Sequence, residues 1–411
     1  MSSSSEGSLV PLGSKKMSAS ASLMTSNLTC SGKKLAFAHH SQVCLFDIAS
    51  NKEAKGPSSA WIFLIKFLVL GKRFILVVCT SSGTQVWNEE GTRMLLYLAL
   101  EPTIPGSPSK DAATGAGDGP RKDQPDDSSL SFHKGACLLS LPAVSVHKPQ
   151  QHHLCVGTSS GSLIITKAET GESAPFSPLF FNQTEGLAAV EALGADSSSS
   201  TLISAHSDGR LLFWQASPSG SYGERKDLPP ISFPEDVCSS LGVVGGFLFS
   251  SWGSGHVRIF REMSREKGSI EIAAHARWIH GMDVREDGVF ATAGEDSVVN
   301  VWKFESSPHA EEISLVGSGT VPDLLPTGCA LMDPKGASCE VAVSVYDSQE
   351  VFVFGLPTPK APSGGGPTEG KGGRGETGRS SIVGISQAPP KKEPEIGAVD
   401  GARPSATDSK K

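Results

Sequence analysis

The sequence predicts an all-β protein folded as a closed β-propeller of seven blades, and three observations support this. The chain of 411 residues has only 19% charged residues but contains 45 Gly and 27 Pro, which favours many short strands joined by turns. One hairpin pattern occurs seven times. When the polar segments are set aside, the pattern returns every ~46 residues, which suits a four-stranded blade.

Each repeat is an apolar run that ends in small residues, a tight polar turn, and a strand with β-branched or aromatic residues at alternate positions. Alternation with a period of two is typical of strands, so helical solenoids of similar repeat length are rejected. Each repeat is therefore predicted to be a hairpin. The seven hairpins are residues 35–46, 76–87, 154–166, 202–214, 248–260, 290–302 and 341–354.

Three segments fall outside the predicted ring of residues 8–356. The Ser-rich start, residues 1–7, the insert 101–130 and the tail 357–411 are dominated by polar residues, Gly and Pro, and are predicted to be disordered because they bury too little apolar surface. The apolar stretch 8–12 is expected to close the ring as the outer strand of the last blade. Pro11 is acceptable there because an edge strand tolerates proline.

The sixth repeat carries the most specific polar signal. His275, Thr292, Asp296 and Trp302 match, in order and position, the buried hydrogen-bonded tetrad of WD-type blades. Imidazole suits this role because its two nitrogens can serve a turn carboxylate and a hydroxyl or indole group together. The fourth repeat keeps only part of the signature, and the remaining blades must depend mainly on apolar packing. The partial tetrad is Ser204, Asp208 and Trp214.

The residues that could suggest a catalytic or metal site do not meet the geometry such a site requires. The Gly157–Gly161 sequence GTSSG matches the elbow of serine hydrolases, but a strand follows Ser159 where the elbow requires a helix. Adjacent histidines, as in His39-His40 and His152-His153, point to opposite faces of a strand and cannot chelate a metal as a pair. Phosphate-binding, zinc-protease and kinase motifs are absent from the sequence. We therefore expect no enzyme activity, no metal and no cofactor.

The net charge indicates which class of partner is disfavoured, and the cysteines indicate the cell compartment. A net charge of −7 argues against binding nucleic acid as the main task. The eight cysteines are scattered and form no CxxC pair, which indicates reduced thiols in the cytoplasm. No secretory signal and no transmembrane segment are expected, so any association with vesicles or membranes would be made through partners.

Residues 271–304, together with 154–165 and 341–354, resemble the WD repeat-containing protein 54 family, weakly from residue 8 to residue 354. The resemblance implies a single propeller of adaptor type, not an enzyme. The expected function is a non-catalytic scaffold for protein partners, and Arg277, Trp278 and Glu295 are the candidate contact residues because Arg and Trp are enriched at binding hot spots. Packing of Trp278 between blades is an equal alternative. An accessory subunit of an RNA-handling or enzyme complex is the second functional reading, which a basic stripe on one face would favour.

Overall fold

A computed structural model describes residues 7–58, 60–100, 132–142, 150–170, 176–179, 187–217, 220–264, 266–307, 310–333 and 339–356. The insert 101–130, residues 1–6 and the tail 357–411, on which three predictions of disorder fall, lie outside the described residues. Within the described residues every regular element is a strand, and no helix is long and apolar enough to cross a membrane.

The strands form seven antiparallel sheets, each of which is one blade. Blade 1 contains β2 (Thr29–Cys30), β3 (Lys34–His39), β4 (Gln42–Asp47) and β5 (Lys52–Ser58). Blade 2 contains β6 (Ile62–Leu70), β7 (Arg73–Thr80), β8 (Gly83–Asn88) and β9 (Met94–Ala99). Blade 3 contains β10 (His133–Ser140), β11 (His152–Thr158), β12 (Leu163–Ala168) and β13 (Phe176–Leu179). Blade 4 contains β14 (Val190–Asp196), β15 (Thr201–His206), β16 (Arg210–Ala216), β17 (Tyr222–Glu224) and the short β18 (Ile231–Ser232).

The last three blades follow the same plan. Blade 5 contains β19 (Cys238–Val244), β20 (Phe247–Trp252), β21 (His256–Arg261) and β22 (Ser269–Ala273). Blade 6 contains β23 (Ile279–Val284), β24 (Val289–Gly294), β25 (Val298–Ser306) and β26 (Glu311–Thr320). Blade 7 contains β27 (Pro326–Leu331), β28 (Glu340–Val345), β29 (Glu350–Gly355) and β1 (Val10–Lys16) from the start of the chain.

The seven predicted hairpins are confirmed to the residue. In every repeat the first and last residues of the predicted hairpin lie directly opposite each other in the ladder between the second and third strands, as Leu35 does with Phe46 and Phe290 with Trp302. The period-two pattern therefore fixes the register as well as the strands, because a slip of one residue would turn the apolar face of the strand to solvent.

The innermost strands of neighbouring blades contact one another around a complete ring, from β2 through β6, β10, β14, β19, β23 and β27 back to β2. The core is divided in the same way into seven apolar clusters, each of which lies between two adjacent blades. Between blades 5 and 6, for example, Phe249 and Phe290 pack edge to face with centroids 5.4 Å apart. A blade can bury its faces only against its neighbours, so the ring is held as a unit.

The ring closes with a strand from the N-terminal end, as predicted, although the strand extends further than residues 8–12. β1 pairs with β29 along its length, and Pro11 opposes Phe354 at the edge of the sheet. Upstream, Ser8 bridges Ser318 of blade 6, and Gly7 accepts a hydrogen bond from the Ser318 N–H at 3.0 Å. Gly7 and Ser8 thus tie blade 6 to blade 7.

Candidate functional site

The four tetrad residues of blade 6 meet in one hydrogen-bonded chain. His275, in the connection between β22 and β23, contacts the Asp296 carboxylate through Nδ1 at 2.9 Å and the Thr292 hydroxyl through Nε2 at 2.8 Å. The indole N–H of Trp302 donates to the same hydroxyl at 3.1 Å. The donors and acceptors are consistent when the Thr292 hydroxyl donates to Nε2 and Nδ1–H donates to Asp296.

The carboxylate of Asp296 also binds the backbone. It accepts hydrogen bonds from the Ala276 N–H at 2.9 Å and the Val298 N–H at 3.2 Å. Burial acts to raise the pKa of Asp296, but the hydrogen bonds from His275 and these two N–H groups outweigh it and lower the pKa below its usual range. The tetrad therefore clamps the connection between blades 5 and 6 to the β24–β25 turn.

A neighbouring glycine shows how tightly that connection is held. Gly255, in the turn between β20 and β21, has a φ of +84°, and a Cβ added there would lie 2.2 Å from the His275 carbonyl oxygen. Its own carbonyl oxygen accepts a hydrogen bond from the His275 N–H at 3.0 Å. The connection is thus fixed by both adjacent blades, which makes the side chains that follow His275 a rigidly presented group.

The three candidate contact residues, Arg277, Trp278 and Glu295, do not form one patch. Arg277 is exposed, and among the described residues no hydrogen bond or ion pair engages its guanidinium. Trp278 is half-buried, with its ring against Gly253, where an added Cβ would lie 2.6 Å from the indole. The Glu295 N–H donates to the Trp278 carbonyl at 2.9 Å, but the Glu295 carboxylate binds His280 Nε2 at 3.0 Å. Arg277 and Trp278 are neighbours on the surface, whereas the charge of Glu295 is directed to His280.

The indole nitrogen of Trp278 is buried, and within the described part of the chain it has no hydrogen-bond partner. A buried N–H group normally has an acceptor, and an unsatisfied one costs about 1–3 kcal/mol. Packing of the ring against Gly253 explains the position of Trp278 but leaves this donor unpaired. The ring thus packs between blades, as the alternative interpretation of Trp278 expects, and its N–H is enclosed there without a partner among the described residues.

In blade 4 the partial tetrad is completed by a residue that the sequence analysis missed. Trp214 donates to the Ser204 hydroxyl at 2.9 Å, and that hydroxyl contacts His206 Nε2 at 2.9 Å. His206 Nδ1 then reaches the Ala188 carbonyl oxygen at 2.8 Å. Asp208 does not join this chain and pairs with Arg210 instead. The available signal was the spacing of Ser204 and His206, since residues two apart on a strand share a face.

The residues rejected as catalytic or metal-binding have structural partners. The Ser159 hydroxyl accepts a hydrogen bond from the Phe132 N–H at 2.9 Å, in a turn between two strands. His39 Nδ1 lies 2.7 Å from the Ser20 carbonyl, and His153 Nδ1 lies 2.7 Å from the Tyr222 hydroxyl. Among the described residues, no three His, Cys, Asp or Glu side chains are placed to hold one metal ion.

The innermost strands surround a central cavity of about 810 Å³. Its polar lining includes the ion pair between Lys134 and Glu191, and Asp283, whose carboxylate accepts a hydrogen bond from the Leu331 N–H at 2.8 Å. Burial raises the pKa of Asp283, and both this hydrogen bond and the charge of Lys66 oppose the rise. These groups are satisfied largely within the ring, so the cavity shows no converging set of reactive side chains.

The fold and the tetrad together define a seven-bladed propeller of the WD-repeat class. The WDR54 family model matches residues 143–356, and the chain belongs to the WD repeat-containing protein 54 family, which confirms the resemblance seen in the sequence. WD repeat-containing protein 54 of Mus musculus is 26% identical over 319 residues, covering 74% of this chain and 81% of the relative. WD repeat domain 54 of Rattus norvegicus is 27% identical with the same coverage.

The human relative and a solved structure agree with this assignment. WD repeat-containing protein 54 of Homo sapiens is 24% identical over 318 residues. A chain of the structure titled "Crystal Structure of Mitotic Checkpoint Complex" superposes with a TM-score of 0.57 at 12% identity, covering 86% of this chain and 94% of that one. At that identity the match shows the propeller fold alone.

Proposed function

We propose that this protein is a non-catalytic scaffold that binds protein partners through the loops at one end of the ring. Blades are antiparallel, so the turns between second and third strands lie at the same end as the connections between blades, and we call this end the upper face. Seven inter-blade cores fix the ring. In such folds function resides in the loops, because the framework is shared by proteins with many different activities.

The observation that carries the proposal is the pair Arg277 and Trp278 on the upper face. A rigidly held loop presents an exposed guanidinium beside a half-buried indole ring. A partner carboxylate would pair with the guanidinium, and an apolar side chain beside it would pack on the exposed part of the indole. Trp and Arg are the residues that most often dominate the binding energy of protein interfaces.

The charge of the turns between second and third strands favours a protein partner over RNA. None of the seven turns between second and third strands, all within the described residues, contains a lysine or arginine. Four acidic residues do occupy them, namely Asp208, Glu295, Asp296 and Asp347. Binding to RNA phosphates needs lysine and arginine side chains at these positions, so we do not favour an RNA-handling role.

The experiment replaces Arg277 and Trp278 together with alanine in the full chain and compares the partners recovered by proximity labelling in cells with those of the wild type. The matched control is Lys55→Ala with Met94→Ala, which likewise removes one exposed cation and one exposed apolar side chain, but outside the upper-face turns. We expect the double variant alone to lose specific partners while its thermal midpoint stays near that of the wild type. An unchanged set of partners would exclude this pair as the contact site.

We also propose a cytoplasmic location. All eight cysteines are free thiols. Burial raises the pKa of Cys44 and Cys79 to about 12, so these thiols stay protonated and unreactive near neutral pH. Fluorescence microscopy of the tagged full chain tests the location, and a signal confined to a membrane-enclosed secretory compartment would contradict it.

A further inference from the structure

A second group of exposed side chains lies on the upper face of blades 7, 1 and 2. Leu23 is 55% exposed, Trp61 is 53% exposed and Tyr346 is 46% exposed. The exposed ring of His40 lies against Trp61, with centroids 5.1 Å apart. We call these four residues, Leu23, His40, Trp61 and Tyr346, the Trp61 shelf.

Backbone contacts join the shelf into one neighbourhood. The segment between β1 and β2 forms a parallel bridge from Ala21 to Tyr346, which ties it to the turn of blade 7. The next residue, Ser22, accepts a hydrogen bond from the His40 N–H at 2.6 Å through its hydroxyl. The His40 carbonyl in turn accepts from the Ile62 N–H at 3.0 Å, directly after Trp61. One continuous path thus links the three blades beneath the exposed side chains.

The shelf differs from the other exposed large apolar residues of the described chain, all of which lie in strands: Val10, Leu12, Val69, Met94, Tyr97 and Leu315. Val10, Leu12 and Leu315 lie on outer strands at the edge of blades 6 and 7, where single exposed apolar side chains are ordinary. The shelf instead gathers two aromatic residues and a leucine in loops, at the end of the ring where the candidate contact residues also lie. Grouped apolar exposure of this kind marks interaction surfaces.

The charge around the shelf indicates the chemistry of its partner. The described loops that surround it, residues 17–28, 40–41, 60–61, 81–82, 321–325 and 346–349, contain no lysine and no arginine. Asp323 and Asp347 are both exposed there. An exposed indole attracts a cation by the cation–π interaction, and the carboxylates on the same face attract it by Coulombic interaction.

We propose that the Trp61 shelf binds a segment of a protein partner in which a lysine or arginine stands next to a large apolar side chain. The apolar side chain packs on Leu23 and Tyr346, and the cation lies over Trp61, on the face that also carries Asp347. This inference rests on the proposed scaffold function, but it concerns residues separate from Arg277 and Trp278, so each can fail alone.

The test is a selection of random displayed peptides against the immobilised full chain, followed by titration of the enriched peptides in solution. We expect enriched peptides to combine Lys or Arg with an adjacent apolar residue. Trp61→Ala should weaken their binding about tenfold, since it removes a central aromatic anchor. Asp347→Asn should weaken it about threefold and reduce its dependence on salt.

Control variants keep the result interpretable. Met94→Ala removes an exposed apolar side chain from the outermost strand of blade 2, β9, and should leave the affinity unchanged. Leu23→Ser repeats the test at a loop residue whose replacement should not disturb folding, in case Trp61→Ala lowers the thermal midpoint. Enrichment of acidic peptides, or no enrichment at all, would overturn the proposal. Trp61→Ala and Leu23→Ser variants that bind the enriched peptides as tightly as the wild type would also overturn it. So would a dimer of the full chain that Trp61→Ala separates, because a second copy would then be the occupant. A partner list that depends on Arg277 and Trp278 but not on the shelf would overturn this inference and leave the scaffold function standing.

Discussion

Replacing Thr292 with valine tests the tetrad most directly, because the two side chains have nearly the same shape. The Thr292 hydroxyl serves both the Trp302 indole N–H and His275 Nε2. Its loss leaves two buried polar atoms unpaired, at a cost of about 1–3 kcal/mol each. The added methyl group offsets about 0.8 kcal/mol of this. We therefore expect Thr292→Val to lower the free energy of unfolding by about 2–4 kcal/mol.

A matched control lies in blade 3. Thr166 occupies the place in its repeat that Trp302 occupies in blade 6, and it is also buried, but its hydroxyl has no hydrogen-bond partner among the described residues. Thr166→Val therefore removes a hydroxyl that makes no bond and should be neutral or stabilising. The two variants change the same atoms at similar burial and differ only in the hydrogen bonds lost.

Circular dichroism during thermal and urea unfolding measures both variants. For a ring of this size, Thr292→Val should lower the midpoint by about 5 °C, and Thr166→Val should leave it unchanged or raise it. If both variants lowered the midpoint equally, the hydrogen bonds of the tetrad would contribute nothing to stability beyond packing, and the tetrad would not hold blade 6 as described.

Two further predictions follow from the closure and from buried histidines. Deletion of residues 1–16 removes β1 and should lower the midpoint sharply, whereas deletion of 1–6 should not; equal midpoints would contradict closure by β1. Burial lowers the pKa of His133 and of His153 to about 4, so the unfolded chain binds more protons than the folded chain between pH 4 and 6.5. The stability contributed by each neutral histidine is fully present above pH 6.5 and falls with pH, by about 2 kcal/mol each at pH 5. Urea unfolding at pH 7 and pH 5 measures this, and a His133→Gln variant that loses as much stability on acidification as the wild type would contradict it.

The sequence predicted the parts of this fold that depend on local alternation. Leu35 opposes Phe46 and Phe290 opposes Trp302 because a strand with one buried face permits only one register. A strand without a buried apolar face has no such alternation, so its extent and register cannot be predicted in this way. The end of β1, with Gly13 and Lys16 exposed on an edge, carries no apolar alternation, so the closing strand was predicted too short.

The site was predictable where a residue order is characteristic and unpredictable where the partner comes from another part of the chain. His275 follows the WD order, but His206 replaces the missing histidine of blade 4 from within its own strand. The carboxylate of Glu295 binds His280, whose other nitrogen lies 3.3 Å from the Thr25 hydroxyl. A contact between positions 25 and 280 exists only in the closed ring, so reading the chain in order could not reveal it.

Closure by β1 also has a consequence for biosynthesis. Val10 opposes Gly355, so the strand of the ring that is synthesised first can pair only after the last strand of the ring has been made. At a translation rate of about 5–20 residues per second, that strand waits roughly 20–70 s for its partner. During this interval the nascent chain exposes the open flanks of blade 1 and of the newest blade, which makes it a natural client for chaperones.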